Sequence, residues 1–261
     1  MRTMNDRPDD SDRTASSIRW GAATDTGNVR EKNEDAFLVE VQIGLFGVVD
    51  GMGGHPGGAL AARSVAEGLA AMMCREFKMM KTRQRRSLRD WIERCIGEQS
   101  RELCFQGLNK AGFAGMGATV AIVLLLNGRA YAANLGDSRV YRLRSGRLSQ
   151  LSRDHSVIAE LLEAGEIGPR EVPGHYARGL LTQYVGMPEE VRPHVRSVSL
   201  EPGDRFLLCT DGLTDMVDDA GITQILTAHA DAQQVADTLV QTANEEGGLD
   251  NTTVVVVDWA G

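Results

Sequence analysis

The chain has 261 residues, of which 42% are hydrophobic, so it can bury a large core in one domain. Its formal net charge of -8 and pI of about 5.2 disfavour nucleic acid as the main partner, because such surfaces carry clustered positive charge. Four cysteines without a C-x-x-C spacing indicate free thiols in a reducing compartment. The sequence shows no signal peptide and no apolar run of about eighteen residues, so we expect a cytoplasmic protein without a membrane partner.

Residues 1–17 are polar and have little to bury, so they are predicted to form a disordered tail. Residues 18–261 show no break in composition and are predicted to form a single domain. Apolar runs and turn signals predict strands at 18–23, 36–41, 45–49, 117–126, 129–135, 140–143, 195–200, 205–209 and 252–259. Helical spacing predicts helices at 59–80, 87–108, 220–229 and 231–245, and a further helix capped by residues 154–156 that ends at residue 164.

These predicted elements come in blocks of strands and blocks of helices rather than in strict alternation. Such an order favours an α+β fold with antiparallel sheets flanked by helices over a doubly wound parallel sheet. Residues 165–179 are rich in glycine and proline and are predicted to form a loop that could act as a mobile flap. Residues 75–94 have a local excess of Lys and Arg, which could dock an acidic partner, although a solvated loop between helices is the favoured interpretation.

Four aspartates lie at the ends of predicted core strands. Asp50 ends the run 45–49 and is followed by a glycine-rich stretch, Asp137 and Asp211 follow two more apolar runs, and Asp250 precedes the last strand. Charged residues in such places are costly without a shared partner, and a divalent cation is the simplest one. Oxygen ligands without a His or Cys cluster favour Mg²⁺ or Mn²⁺. Taken singly, each aspartate could instead be a cap or turn residue, and Asp50 could cap the helix that follows it.

Seven short motifs give the chain a family resemblance from about residue 18 to residue 258. They occur in the order Asp25-Thr-Gly-x-x-Arg30-x-x-Asn33-Glu34-Asp35, Asp50-Gly-Met-Gly-Gly-His55, Met116-Gly117-Ala118-Thr119, Asn134-Leu-Gly-Asp137-Ser-Arg139, Asp154-His-Ser156, Thr210-Asp211-Gly-Leu213 and Asp250-Asn-Thr252. With these motifs the chain resembles the metal-dependent type 2C serine/threonine protein phosphatases (PPM family), in the small bacterial form. The resemblance implies a four-layer α-β-β-α sandwich of two packed antiparallel β-sheets flanked by helices.

The resemblance also implies a metal site with two Mn²⁺ or Mg²⁺ ions. Asp50 matches the ligand that bridges both ions, and Asp211 and Asp250 match the other core ligands. The implied supporting ligands are the carbonyl of Gly51, the carboxylate of Glu34 near the second ion, and Asp137 beside a third, looser ion. Two such ions about 4 Å apart would activate a bridging water for attack on phosphorus.

Two further residues acquire roles from the same resemblance. Arg30 matches the residue that grips the substrate phosphate, for which the guanidinium fork is suited. Asp35 is placed behind the metal ligands, where it would orient metal-bound water. Met52 stands where many eukaryotic members carry a proposed general acid, so the leaving-group acid is open between a metal-bound water and His55, for which a structural role is favoured.

The implied activity is direct hydrolysis of phosphoserine or phosphothreonine, opposing bacterial serine/threonine kinases. The expected partners are phosphorylated proteins and the cognate kinase with its targets, and we expect a monomer. One alternative is a catalytically weak phosphoprotein-binding module of the same fold, although no core aspartate is missing. Another is a metal hydrolase of small phosphate esters, which only a comparison with phosphopeptides would distinguish.

Overall fold

The computed structural model describes residues 17–52, 57–80, 87–109 and 113–261. The predicted tail, apart from residue 17, therefore lies outside the described residues, as do His55 and the basic residues between positions 81 and 86. The described strands are β1 (Ile18–Asp25), β2 (Asp35–Glu40), β3 (Leu45–Asp50), β4 (Val120–Leu126), β5 (Arg129–Leu135), β6 (Arg139–Arg144), β7 (Arg147–Gln150), β8 (His194–Ser199), β9 (Asp204–Cys209) and β10 (Thr252–Trp259).

These strands form two antiparallel sheets of five strands each. The first sheet has the order β1-β10-β9-β6-β7, and the second has the order β2-β3-β4-β5-β8. The described helices are α1 (Gly58–Met79), α2 (Leu88–Asn109), α3 (Val157–Ala164), α4 (Asp211–Thr214), α5 (Asp219–Ala228) and α6 (Ala232–Glu245). α1 and α2 cover the outer face of the second sheet, and α6 covers the first sheet with α4 and α5 beside it, so the four-layer sandwich is confirmed.

Three apolar layers hold the sandwich together. One lies between the two sheets, and the other two lie between each sheet and its helices. β4 is buried at all its positions because it faces the other sheet on one side and helices on the other. Each fully buried Leu, Ile or Val side chain contributes about 1.5–3 kcal/mol relative to an exposed one, so these layers dominate the stability of the fold.

Two hairpin turns form because a non-glycine residue in each tolerates positive φ beside a glycine. Asn127 and Gly128 have φ of 52° and 68°, and Ser145 and Gly146 have φ of 50° and 73°, values that suit tight two-residue turns. The short strand β7 then pairs with β6 after the second turn. No described helix is long and apolar enough to cross a membrane, and all four cysteines are free.

Several boundaries differ from the predicted ones for local reasons. β4 begins at Val120 rather than at residue 117, because Ala118 makes only isolated bridges to Gly51 and Val185. α1 begins after Gly57 and no side chain caps it, so the alternative that Asp50 caps this helix is wrong. The predicted cap at residues 154–156 is confirmed, since Ser156 Oγ accepts a hydrogen bond from the Ala159 amide.

The outer edge of β1 is covered by a side chain from α6. The Ala22 amide donates to Gln233 Oε1 at 3.1 Å, and Gln233 Nε2 donates to the Ala22 carbonyl at 2.8 Å. An ideal Cβ on Gly21 would lie 2.4 Å from the Gln233 backbone, so the glycine allows α6 to pack this closely. The Gln233 amide thereby satisfies both backbone groups of Ala22 as a neighbouring strand would.

Candidate active site

The β2–β3 hairpin brings two carboxylates together. Its register pairs Asp35 with Asp50, so the two side chains lie opposite each other on one face of the sheet. Past Asp50 the ladder gives way to an isolated bridge between Gly51 and Ala118. An ideal Cβ on Gly51 would lie 2.2 Å from the Gly58 carbonyl oxygen, so only glycine lets the strand end pass so close to α1.

The end of β9 supplies the next carboxylate. Thr210 Oγ1 donates a hydrogen bond of 3.0 Å to Asp35 Oδ2, which ties β9 to the hairpin of the other sheet. Asp211 then opens the short helix α4. An ideal Cβ on Gly212 would lie 2.0 Å from the Asn251 carbonyl oxygen, so α4 packs directly on the segment that leads into β10. Asp211 thus lies between a hydrogen-bonded Thr210 and a closely packed Gly212.

Asn251 joins the loop before β2 to the loop before β10. Its Oδ1 accepts a hydrogen bond of 2.8 Å from the Glu34 amide, and its Nδ2 donates to the carbonyls of Thr26 and Lys32, each at 2.9 Å. The Asn251 amide donates to Asp250 Oδ1 at 2.8 Å. One side chain therefore sets the position of Glu34 relative to Asp250, and it fixes the loop that carries the predicted phosphate ligand.

The turn between β5 and β6 presents Asp137. Gly136 has φ of 105°, and an ideal Cβ there would lie 2.6 Å from Thr119 Cβ, so this position requires glycine. His155 holds the same turn, since its Nδ1 accepts from the Gly136 amide at 3.2 Å and its own amide donates to the Gly136 carbonyl at 2.9 Å. The Thr119 and Ser138 hydroxyls share a buried hydrogen bond of 2.6 Å beneath it.

A cavity of about 390 Å³ lies where these elements meet. Side chains and backbone from both sheets and from the segment after residue 178 line it: Arg30, Glu34, Asp50, Gly51, Met52, Thr119, Asp137, Gly179, Leu180, Leu181, Tyr184, Asp211, Asp250 and Asn251. Seven of the eight predicted site residues are in this wall. The eighth, Asp35, lies behind Asp50 and is held there by Thr210.

The carboxylates of this site are surrounded by protein and by one another. Burial is the main cause that raises the pKa of Asp35, Asp50, Asp137 and Asp211 above the ordinary aspartate value. The negative charge of Asp211 raises the pKa of the other three further, and Asp250 acts in the same direction on Asp211. The site therefore disfavours the full set of negative charges that its own residues would carry at neutral pH.

Among the described residues that line the cavity, Arg30 is the one cationic side chain. Its Nη2 donates to Asp250 Oδ2 at 2.6 Å, and this hydrogen bond raises the pKa of Arg30. Both side chains remain more than a third exposed, so solvent screens the pair and leaves the guanidinium free to exchange partners. A phosphate group entering the cavity would meet this guanidinium at its edge.

The donor set suits divalent cations. No three described His, Cys, Asp or Glu side chains already surround one point as ligands would, and Asp250 is paired with Arg30. Asp211 Oδ1 is nevertheless buried without a hydrogen-bond partner among the described residues. Buried carboxylate oxygens with raised pKa values are what a hard cation would satisfy, and an all-oxygen set favours Mg²⁺ or Mn²⁺.

Comparison with known proteins settles the family. The protein phosphatase 2C family model matches residues 28–251. The chain belongs to the protein phosphatase 2C family. Protein phosphatase PhpP of Streptococcus pneumoniae is 32% identical over 238 residues, which are 90% of this chain and 94% of PhpP. This phosphatase 2C chain is accordingly a metal-dependent serine/threonine protein phosphatase.

Solved structures of family members share the whole fold of this phosphatase. The Mycobacterium tuberculosis serine/threonine phosphatase PstP/Ppp superposes with a TM-score of 0.83 at 32% identity, covering 94% of this chain and 99% of that one. A PstP catalytic domain in complex with two manganese ions superposes with a TM-score of 0.81 at 31% identity, covering 94% of this chain and 99% of that one.

Sequence reasoning left several residues of the phosphatase site without a role. Asn251 and Thr210 organise the carboxylates, and each stands next to a predicted ligand, which was the available signal. Tyr184 and Leu181 enter the cavity wall from the segment after the predicted flap, and no sequence pattern marks them. The flap itself contains a 3₁₀ turn, Pro169–Gly174, and an ion pair of 2.9 Å between Arg178 and Asp215 connects it to the body.

Proposed function

We propose that this phosphatase removes phosphate from phosphoserine and phosphothreonine in proteins modified by a serine/threonine kinase of the same cytoplasm, and that it acts as a monomer. The observation that carries the proposal is the convergence of the strand-end aspartates and Arg30 on one cavity.

Three aspartates would hold two cations in this site. Asp50 would be shared between them, with Asp211 and Asp250 completing the core set and the Gly51 carbonyl and Glu34 supporting it. Asp137 would hold a third, looser ion. When bound, the cations supply Lewis-acid stabilisation of the phosphoryl group and a water-derived nucleophile at neutral pH.

Arg30 and Asp35 act around this set. Arg30 would pair with two oxygens of the substrate phosphate and orient it, because its guanidinium presents parallel donors to a tetrahedral anion. Asp35 is buried beside Asp50 and accepts a hydrogen bond from Thr210. From this position it would orient the nucleophilic water. Its role is one of positioning rather than of contact with substrate.

The test is hydrolysis of a phosphothreonine peptide and a phosphoserine peptide with EDTA, Mg²⁺ or Mn²⁺ present. We expect metal-dependent phosphate release from the peptides, and we expect Asp50→Asn to abolish it because the shared ligand is lost. The matched control is Asp237→Asn, which changes an exposed carboxylate on α6 and should keep full activity. Intact peptides in every metal, with p-nitrophenyl phosphate still cleaved, would contradict the protein-substrate assignment.

A further inference from the structure

Tyr184 lies in the wall of the catalytic cavity and has no role in the two-cation scheme. It lies on the segment that follows the flap, next to Val185. Val185 is bonded to the segment that leads into β4, since its amide donates to the Ala118 carbonyl at 2.8 Å and its carbonyl accepts from the Ala118 amide at 3.0 Å. The tyrosine is therefore attached to rigid backbone and not to the tip of a loop.

The ring of Tyr184 is seated on a glycine. An ideal Cβ on Gly117 would lie 2.7 Å from Tyr184 Cδ2 and 2.9 Å from Tyr184 Cε2, and 2.8 Å from Met52 Cε. The absence of a side chain at residue 117 thus makes room for both neighbours. The ring of Tyr184 therefore lies directly over the backbone of Gly117, and Met52 also comes close to that glycine.

Other polar groups in the wall already have hydrogen-bond or ion-pair partners. The Thr119 hydroxyl is hydrogen-bonded to Ser138, and the Arg30 guanidinium is paired with Asp250. The side-chain amide of Asn251 makes hydrogen bonds to three backbone groups. The remaining polar side chains are carboxylates, which the two-cation scheme uses. Among the described residues that line the cavity, the Tyr184 hydroxyl alone is a neutral proton donor without a hydrogen-bond partner.

We propose that Tyr184 is the general acid of this phosphatase and protonates the leaving oxygen of the substrate serine or threonine. The proposal rests on the proposed function. As the bond between phosphorus and the leaving oxygen breaks, its electron pair passes to that oxygen, which takes the proton from Tyr184 Oη. Water supplies the oxygen that joins phosphorus, and the proton that this water loses to solvent is regained from solvent by the tyrosinate, so the cycle balances.

The chemistry of the leaving group explains why such a donor is needed. Serine and threonine alkoxides are strongly basic, so their expulsion is slow unless a proton arrives with the breaking bond. A positioned general acid contributes typically 10²–10⁴-fold to such a step. p-Nitrophenolate is a stable anion and leaves without a proton, so aryl phosphates with good leaving groups do not depend on the acid.

The test compares Tyr184→Phe with wild type on two kinds of substrate at saturating Mn²⁺. Phenylalanine keeps the ring over Gly117 and removes only the hydroxyl. We expect kcat on a phosphothreonine peptide to fall about 30-fold or more, and kcat on p-nitrophenyl phosphate to change by less than about twofold. Across a series of aryl phosphates, the variant should depend more steeply on leaving-group basicity than wild type does.

The matched control is Tyr176→Phe, which removes a hydroxyl from an 87% exposed tyrosine on the flap. This control should match wild type on both substrates. Equal losses on both substrates, a change in KM alone, or unchanged kinetics in Tyr184→Phe would each overturn the proposal. Wild-type activity on the peptide is measured in the same experiment, so its absence would identify a failure of the proposed function instead.

Discussion

Asp211 shows how individual residues in this site are placed at the expense of stability. It is enclosed by protein, lies near Asp50, Asp215 and Asp250, and has one oxygen without a partner among the described residues. A buried carboxylate in such a place destabilises the chain when it is charged. A cation bound by Asp211, as proposed above, would offset this cost.

We expect Asp211→Asn to keep or raise the stability of the metal-free protein and to weaken its binding of Mn²⁺. With EDTA at pH 8, the variant should melt at or above the wild-type temperature, because one negative charge is removed from a buried group of carboxylates. With Mn²⁺, wild type should gain about 3 kcal/mol when the ion is at 100 times its Kd, and the variant should gain much less. Calorimetry of both proteins with and without Mn²⁺ measures this.

Asp237→Asn serves as the control in that experiment, because it removes a charge of the same kind from an exposed position. It should retain the full response to Mn²⁺. A variant at position 211 that melts well below wild type in EDTA and keeps the manganese response would show that Asp211 is a structural residue.

The acidic ligand candidates were predictable because each ends or precedes an apolar run, and local sequence therefore marks them. Thr210 and Asn251 were not assigned roles, because their partners Asp35, Glu34 and Thr26 are distant in sequence. Tyr184 enters the cavity only because Gly117 leaves space beneath it. Such contacts depend on how the two sheets meet, which no local pattern records.

At the scale of elements, the start of α1 is built around the carboxylate of Glu34. An ideal Cβ on Gly58 would lie 2.5 Å from Glu34 Oε2 and 2.7 Å from Glu34 Cδ. A helix N-terminus carries partial positive charge, so the carboxylate is also favoured there electrostatically. The first residue of this helix therefore decides where one of the proposed metal ligands can stand.

We expect Gly58→Ala to weaken the response of activity to Mn²⁺ while leaving the fold intact. The flexible end of Glu34 can move away from the added methyl group, so the melting temperature should change by less than about 3 °C. The displaced carboxylate should raise the Mn²⁺ concentration for half-maximal activity about tenfold. Titration of activity with Mn²⁺, together with a melting curve, measures both quantities.

Gly97→Ala provides the matched control, because Gly97 lies within α2 and an added Cβ would meet only Arg101 Nη1 at 3.8 Å. It should raise stability by about 1 kcal/mol through helix propensity and leave the Mn²⁺ titration unchanged. If both variants shift the titration equally, or if Gly58→Ala leaves it unchanged, Glu34 has no part in metal binding.

Most elements were predictable because apolar runs and turn residues agree with the final packing, and β5 and β10 have the predicted bounds. β7 had no predicted bounds because its four residues are polar or half-buried and pair only with β6. The short helix α4 was missed because one turn has too few residues to show a period, and contact with Asn251 stabilises it.

At the scale of the whole molecule, the buried carboxylates should couple stability to pH and metal. Their folded pKa values are about 6 for Asp211, about 7 for Asp35 and about 8 for Asp137, all above the unfolded value. The folded metal-free chain thus binds more protons than the unfolded chain, so these groups reduce stability as pH rises from about 4 to 8. A cation that binds the ionised carboxylates reverses this penalty.

We expect the increase in melting temperature caused by Mn²⁺ to be larger at pH 8 than at pH 5.5, because protons compete with the ion for the carboxylates. His155 and His194 have lowered pKa values, so they add stability as pH rises toward 6.5. Their contribution is present with and without the ion and cancels in the difference. A manganese-induced shift that shrinks as pH rises would contradict this account.

The two hydrogen bonds from the Gln233 side chain of α6 to Ala22 of β1 affect how the protein behaves in concentrated solution. An edge strand with free amides and carbonyls is a template for strand addition by another chain. Because Gln233 occupies both backbone groups of Ala22, an incoming strand would have to displace it, and α6 lies against the same stretch. The β1 edge of the first sheet is thereby protected at Ala22 against the addition of a strand from another chain.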